Sequence, residues 1–230
     1  MCGRYTLATP AEELVEAFDL PGLTFDYFAR FNIAPGQAAP IVAEDAAGRR
    51  MGLIDWGLVP AWMNDPGRGF INARAESVAS KASFREAFRR RRCLVPADGF
   101  YEWQAQSEGE TEAEQSGKRT KRPFWIHPSG GGVVSFAGVW EMWSQPGAEP
   151  RHTFAVLTTE ANSDVRAIHD RMPVVVEEGD RGVWLDRSSE VEKVSALMRP
   201  APDGTFASHR VSTRVNSVIE DDAGLIELLA

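Results

Sequence analysis

Short runs of β-type residues, each closed by a glycine- or proline-containing turn, recur along most of the chain and restrict the fold more than any other feature. Such runs lie at 40–43, 51–56, 93–96, 100–103, 124–127, 133–140, 153–159 and 173–176, and Val211, Thr213 and Val215 mark a last one. Spacing of this kind predicts hairpin-linked strands. Residues 30–40 read as a loop leading into the first run. Helical periodicity is confined to three places. Thr9-Pro10-Ala11-Glu12 reads as a capping box with proline at the first helical position, followed by Leu14, Ala17 and Phe18. Residues 81–92 carry Phe84, Ala87 and Phe88 inward with Arg85, Arg89 and Arg92 outward, and Val191, Val194, Leu197 and Met198 mark a late helix. With 230 residues, 43% of them hydrophobic, the chain is large enough to bury one substantial core. The expected fold is therefore α+β: a single domain with a mostly antiparallel, barrel-like β-sheet and a few short flanking helices. The polar stretch 104–122 reads as a mobile loop inserted in a hairpin.

Charge and cysteine content narrow the function. A net charge of −8 argues against a protein that coats nucleic acid indiscriminately. The average hides a basic stretch between Asn72 and Cys93, with Arg74, Lys81, Arg85 and Arg89 to Arg92 against only Glu76 and Glu86. That local excess suits a site-specific anion binder, although a solvated helix face reads the same way. Cys2 and Cys93 form neither a disulfide framework nor a CxxC pair, which points to a reducing cytoplasm. The four histidines lack metal-ligand spacing, so no metal and no cofactor is expected. No stretch approaches the roughly 18 apolar residues of a membrane span.

Several polar residues stand out for their chemistry. Cys2 follows only Met1, and a small residue there favours removal of the initiator. A terminal cysteine carries an amine of pKa about 7.7–8.0 beside a thiol of about 8.5. Together they can condense with an aldehyde to an imine and close a thiazolidine; alternatively Cys2 is a small buried hydrophobe. Period-two alternation in 70–77 puts Asn72, Arg74 and Glu76 on one face of an extended segment, as a binding site or as a solvent-facing edge. Glu102 lies among Phe100, Tyr101 and Trp103, where desolvation would suit it to moving protons and an arginine partner would make it structural. Trp62 and Met63 border a polar loop, as exposed wedges or folded back onto the core. Cys93 reads as core. Sequence pattern does not bring Cys2, Asn72, Glu102 and His169 together in space.

Six ordered motifs add a resemblance. They are Met-Cys-Gly-Arg-Tyr at the start, Arg-Phe-Asn-Ile-Ala-Pro-Gly from Arg30, Trp-Gly-Leu-Val-Pro-Ala-Trp from Trp56, Asn-Ala-Arg-Ala-Glu from Asn72, Arg-Cys-Leu-Val-Pro-Ala-Asp-Gly-Phe-Tyr-Glu-Trp from Arg92, and Ile-His-Asp-Arg-Met-Pro from Ile168. In this the chain resembles the SRAP family of abasic-site processing proteins. The resemblance implies covalent capture of abasic sites in single-stranded DNA, by a monomer, in the cytoplasm or on the nucleoid. It implies Cys2 as nucleophile, Asn72 as the group holding it and the sugar, Glu102 as proton carrier and His169 as the aid to sugar ring opening. Arg4, Arg74 and Arg171 are implied to hold phosphates, with Arg85 a further contact from the basic helix. Asn32, Pro35 and Thr158 are implied to line the site. Trp62 and Met63 stand where relatives carry a base-stacking pair, with Met63 replacing the usual aromatic. Two other readings stay open: an N-terminal-nucleophile hydrolase with Asn72 in its oxyanion hole, and a non-covalent DNA-binding module.

Overall fold

The computed structural model describes residues 2–64, 67, 69–105, 121–144, 147 and 149–229. Most of the expected loop insertion, residues 106–120, lies outside the described residues. The strand runs of the sequence assemble into two sheets. The first has five strands in the order β12 (Phe206–Arg210), β8 (Lys121–Pro128), β7 (Gly99–Ala105), β1 (Tyr5–Leu7), β2 (Arg30–Ile33), all antiparallel. The second runs β11 (Arg171–Pro173), β10 (Arg151–Glu160), β4 (Gly48–Trp56), β3 (Ala38–Asp45), β6 (Arg92–Ala97), β9 (Val134–Trp143). Because β9 also pairs with β10, five of these strands close into a ring. The short β5 (Asn72–Arg74) lies parallel to β10, on an edge where the end of β4 pairs as well. Among the described residues, five short helices complete the α+β fold: α1 (Ala11–Ala17), α2 (Arg85–Arg90), α3 (Ser163–Arg166), α4 (Arg181–Leu185) and α5 (Val191–Ala196).

Aromatic side chains join the two sheets. The Tyr5 ring stands edge-on to Trp56 at 5.2 Å and to Phe136 at 6.5 Å, and Phe100 meets Phe136 at 5.8 Å. Edge-to-face pairs of this kind are worth about 0.5–1.5 kcal/mol each beyond their burial. Asp98, in the turn between β6 and β7, ties down the chain start. Its carboxylate accepts from the Thr6 hydroxyl, from the backbone N–H groups of Ala8 and Thr9, and from the Thr9 hydroxyl.

Five local expectations change. The strand expected at 173–176 lies instead at Arg171–Pro173, and Val175 makes only an isolated bridge to Phe136. The Thr9 hydroxyl caps no helix because it is spent on Asp98, and α1 starts at Ala11 with Pro10 in the cap position. Residues 30–33, expected as loop, form β2. Asn32 and Ile33 are both buried, so the strand lacks the alternation that would have revealed it. Helix α2 ends at Arg90. Arg92 belongs to β6 and is buried, donating to the carbonyls of Trp184, Phe88 and Asp186. The final strand is 206–210, whereas Thr213–Asn216 is a turn of 3-10 helix whose Val215 packs in a small separate cluster with Tyr101, Val211 and Leu225. Among the described residues no helix is long and apolar enough to cross a membrane.

Candidate active site

Strand pairing carries the start of the chain to the seam between the sheets. Tyr5 pairs with Phe100, and the Tyr101 N–H donates to the Arg4 carbonyl at 2.9 Å. Continuing that register backwards sets Cys2 and Gly3 alongside Glu102. From the other sheet, β5 delivers Asn72, whose Nδ2 donates to the Cys2 carbonyl at 2.8 Å. The parallel register places Asn72 beside Val156 of β10, and the β10–β11 pairing brings His169 in just ahead of Arg171. The His169 Nε2 lies 3.8 Å from Glu102 Oε2. Cys2, Asn72, Glu102 and His169 are thus neighbours, although 167 positions separate the first from the last.

Burial sets the electrostatics. Cys2 is wholly buried, and burial, with the Glu102 charge second, pushes its thiol well above the ordinary range. The thiol is therefore protonated at neutral pH. Burial also pushes the Glu102 carboxyl up, with the His169 ring working against it. A carboxyl whose pKa is raised in this way is better suited to giving as well as taking a proton, as general acid–base work requires. The Arg171 backbone N–H meets His169 Nδ1 at 2.9 Å, and Nε2 is the ring nitrogen that faces Glu102. Asp170 approaches the same Nδ1 at 2.9 Å but is mostly exposed, so solvent screens its pull. The side-chain acceptor of Asn72, Oδ1, is buried with no hydrogen-bond partner among the described residues. The buried Thr158 hydroxyl, on β10 level with Arg74, is likewise without a partner. An unsatisfied buried polar group is costly, by about 1–3 kcal/mol, unless something binds it, and that of Asn72 lies on the residue that holds the Cys2 carbonyl.

The remaining candidates spread further. Arg171 grips Glu76 with both terminal nitrogens, at 2.7 and 2.9 Å, and donates to the Thr158 carbonyl at 2.6 Å. Those bonds hold the Glu76 carboxyl below its usual value. Arg74 is exposed beside them. Arg4 turns toward the C-terminal segment, donating to Asn32 Oδ1 at 2.8 Å and to the Val215 carbonyl at 2.7 Å. Asn32 is wholly buried and bonds the same segment, so it acts on that segment and not at the surface. Pro35 is exposed in a tight turn in which Gln37 N–H donates to the Ala34 carbonyl and Gly36 takes φ +85°. Trp62 is 62% exposed, whereas the Met63 carbonyl is held by Trp143 Nε1 at 2.7 Å. Trp143 lies five residues along β9 from Gly138, which stands level with Asn72 through Val156. That separates Trp62 and Met63 from Asn72 by about 17 Å along the strand. Arg85 is exposed at the start of α2, and no hydrogen bond or ion pair among the described residues joins it to the Cys2 cluster. Sequence reasoning missed Asp98, and Glu76 as the partner of Arg171; the polar alternation that singled out Asn72 and Arg74 also contained Glu76. Among the described residues no group of three or more His, Cys, Asp or Glu side chains is placed to hold a metal.

Comparison with known proteins adds four findings. Residues 1–218 match the family described as SRAP, SOS response associated peptidase. The abasic site processing protein YoqW of Bacillus subtilis (strain 168) is 33% identical over 232 residues, covering 99% of each chain. The abasic site processing protein HMCES of Gallus gallus is also 33% identical, over 85% of this chain and 65% of its own. A crystal structure of a protein from Bacteroides thetaiotaomicron shares the fold, with a TM-score of 0.84 over the full length of both chains at 21% identity.

Proposed function

The chain belongs to the SRAP family, and on that premise we propose that it processes abasic sites in single-stranded DNA by capturing the sugar aldehyde on Cys2. The observation that carries this reading is the grip of Asn72 on the Cys2 carbonyl, beside a buried carboxyl whose pKa is raised. Such a grip fixes the chain start, so that once Met1 is removed the new amine is held in one position. His169 assists opening of the sugar ring, in which the C1′ hydroxyl proton is passed to the departing ring oxygen as the aldehyde forms. The amine then adds to C1′, protonated Glu102 gives a proton to the hydroxyl, which leaves as water, and an imine remains. The thiol adds to the imine carbon while Glu102 takes its proton and the nitrogen gains one. The product is a thiazolidine, with one water lost overall. A thiol kept protonated by burial suits this order, amine first and sulfur second.

The imine also acidifies the C2′ proton, so elimination of the 3′ phosphate is a competing lyase reaction that ring closure suppresses. Arg74 meets a flanking phosphate, Arg4 adds positive charge at the rim, and Arg171 reaches a phosphate by exchanging Glu76 for it. Trp62, with the backbone-held Met63 behind it, meets a base farther along the strand. The protein acts on DNA in the cytoplasm as a monomer without cofactor. An amide-hydrolase reading has less support, because one N–H of Asn72 Nδ2 holds the Cys2 carbonyl and only the other is left for an oxyanion.

The test is intact-protein mass after incubation with a single-stranded oligonucleotide bearing one abasic site. The expected result is a denaturation-resistant adduct, only with damaged DNA, at the mass of protein lacking Met1. Protein confirmed to lack Met1 that forms no adduct would refute the reading.

A further inference from the structure

The C-terminal segment carries an apolar feature that the chemistry above does not use. Ser217, Val218, Ile219 and Glu220 form a tight turn, closed by Glu220 N–H donating to the Ser217 carbonyl at 3.3 Å. Its two central residues are Val218, 49% exposed, and Ile219, 90% exposed. Central turn positions favour Gly, Asn, Asp or Pro, so two β-branched apolar residues there break the local rule. The turn is also held in place. Asn32 Nδ2 donates to both of its ends, at 2.9 Å to the Ser217 carbonyl and 2.7 Å to that of Glu220. Just before it, Asn216 receives Trp103 Nε1 on its side chain at 2.8 Å and Arg4 Nη2 on its carbonyl at 3.4 Å.

These anchors locate the turn. Arg4 is two residues from Cys2, so the exposed pair stands near the candidate active site; Trp103 follows Glu102 along β7 with its side chain on the opposite face of the strand. The acidic residues that follow are engaged already: Glu220 and Asp222 bind Arg214, and Asp221 binds Arg30 and the Phe31 N–H. Because Glu220 and Asp222 share one arginine, these pairs keep a net negative charge, which disfavours a phosphate and leaves the apolar face of a nucleobase as the part of a DNA strand that fits. We propose that Val218 and Ile219 are a base-contacting tip that packs against a nucleobase adjoining the captured lesion, with Asn32 and Arg4 as the residues that hold the tip in position. This rests on the abasic-site reading. It gives the buried Asn32 a positioning role in place of direct DNA contact.

The experiment compares protein lacking Met1 with its Val218→Ser/Ile219→Ser variant on two single-stranded oligonucleotides. One has ordinary bases on both sides of the abasic site; the other has baseless tetrahydrofuran spacers there. Crosslinking rate is measured against DNA concentration. On the base-flanked strand the variant's half-saturating concentration is expected to rise about tenfold, with the rate at saturation retained. On the spacer-flanked strand the two proteins should coincide. No shift, or an equal shift on both strands, overturns the proposal. If wild type forms no adduct at all, the abasic-site reading fails instead, and fluorescence anisotropy with undamaged single strands still tests the tip by the same tenfold difference.

Discussion

Two cysteines lie in similar surroundings and differ in everything that matters for chemistry. Cys2 and Cys93 are both wholly buried, and burial raises both thiols. They are close as well. Asn72, which grips Cys2, stands in register with Val156, Gly138 and Cys93 across β5, β10, β9 and β6. Three strand spacings separate the ends of that line, about 14 Å. Around Cys2 the neighbours are Asn72 and Glu102, with His169 one step further. Around Cys93 they are packing atoms: a Cβ added at Gly138 would come within 2.8 Å of its sulfur and 3.0 Å of Val95. Its carbonyl is held by Trp184 Nε1 at 2.8 Å, a bond between core elements. Burial therefore does not separate a nucleophile from a core residue. What separates them is the backbone nitrogen, which only Cys2 can free, and the proton carrier beside it.

The largest effect expected from this contrast is all-or-none. Cys2→Ala should abolish the stable DNA adduct while keeping the amine, so strand cleavage at the abasic site should rise above that of wild type on a denaturing gel. Cys93→Ala should form the adduct at the wild-type rate. A stable adduct on Cys2→Ala, or its loss on Cys93→Ala, would reverse the assignment.

Next in size is Glu102→Gln. Losing the proton carrier should slow adduct formation by about 10²–10⁴-fold in stopped-time assays. The same substitution tests the shifted carboxyl through stability. A glutamate whose pKa is raised by folding contributes fully below its unfolded value, near 4.3, and that contribution is lost as pH rises through the folded value. Wild type should therefore lose stability over that interval relative to Glu102→Gln in urea titrations. Parallel pH profiles would show that the carboxyl is not shifted.

The smallest effect belongs to the Cys93 side. Gly138→Ala should cost about 1–3 kcal/mol by overpacking, with adduct formation intact. Combining it with Cys93→Ala should recover part of that cost, because the closest contact is the sulfur. Simple additivity in equilibrium unfolding would place the clash on Val95 instead.

Much of this molecule was legible in the residues. The succession of β runs foretold the strands and the α+β class, because side-chain periodicity reports which face a segment buries. Phe84, Ala87 and Phe88 are buried as the helical spacing predicted. Pro35-Gly36 sits in a turn because glycine alone takes the positive φ there without strain. The motifs, read in order, gave the family. Tertiary structure decided the partners. Thr9 meets the requirements of a cap and serves Asp98; Arg92 fits an outward helical face and is buried against carbonyls from α4. Arg4 and Asn32 sit in motifs that suggest DNA contact, yet both turn to a segment about 180 residues or more away in sequence. Arg171 is occupied by Glu76. A polar group binds whatever complementary atom lies within about 3 Å, and that distance is set by the packing of strands from opposite ends of the chain. Sequence spacing fixes only what each segment offers; the seam between the two sheets decides which offers meet.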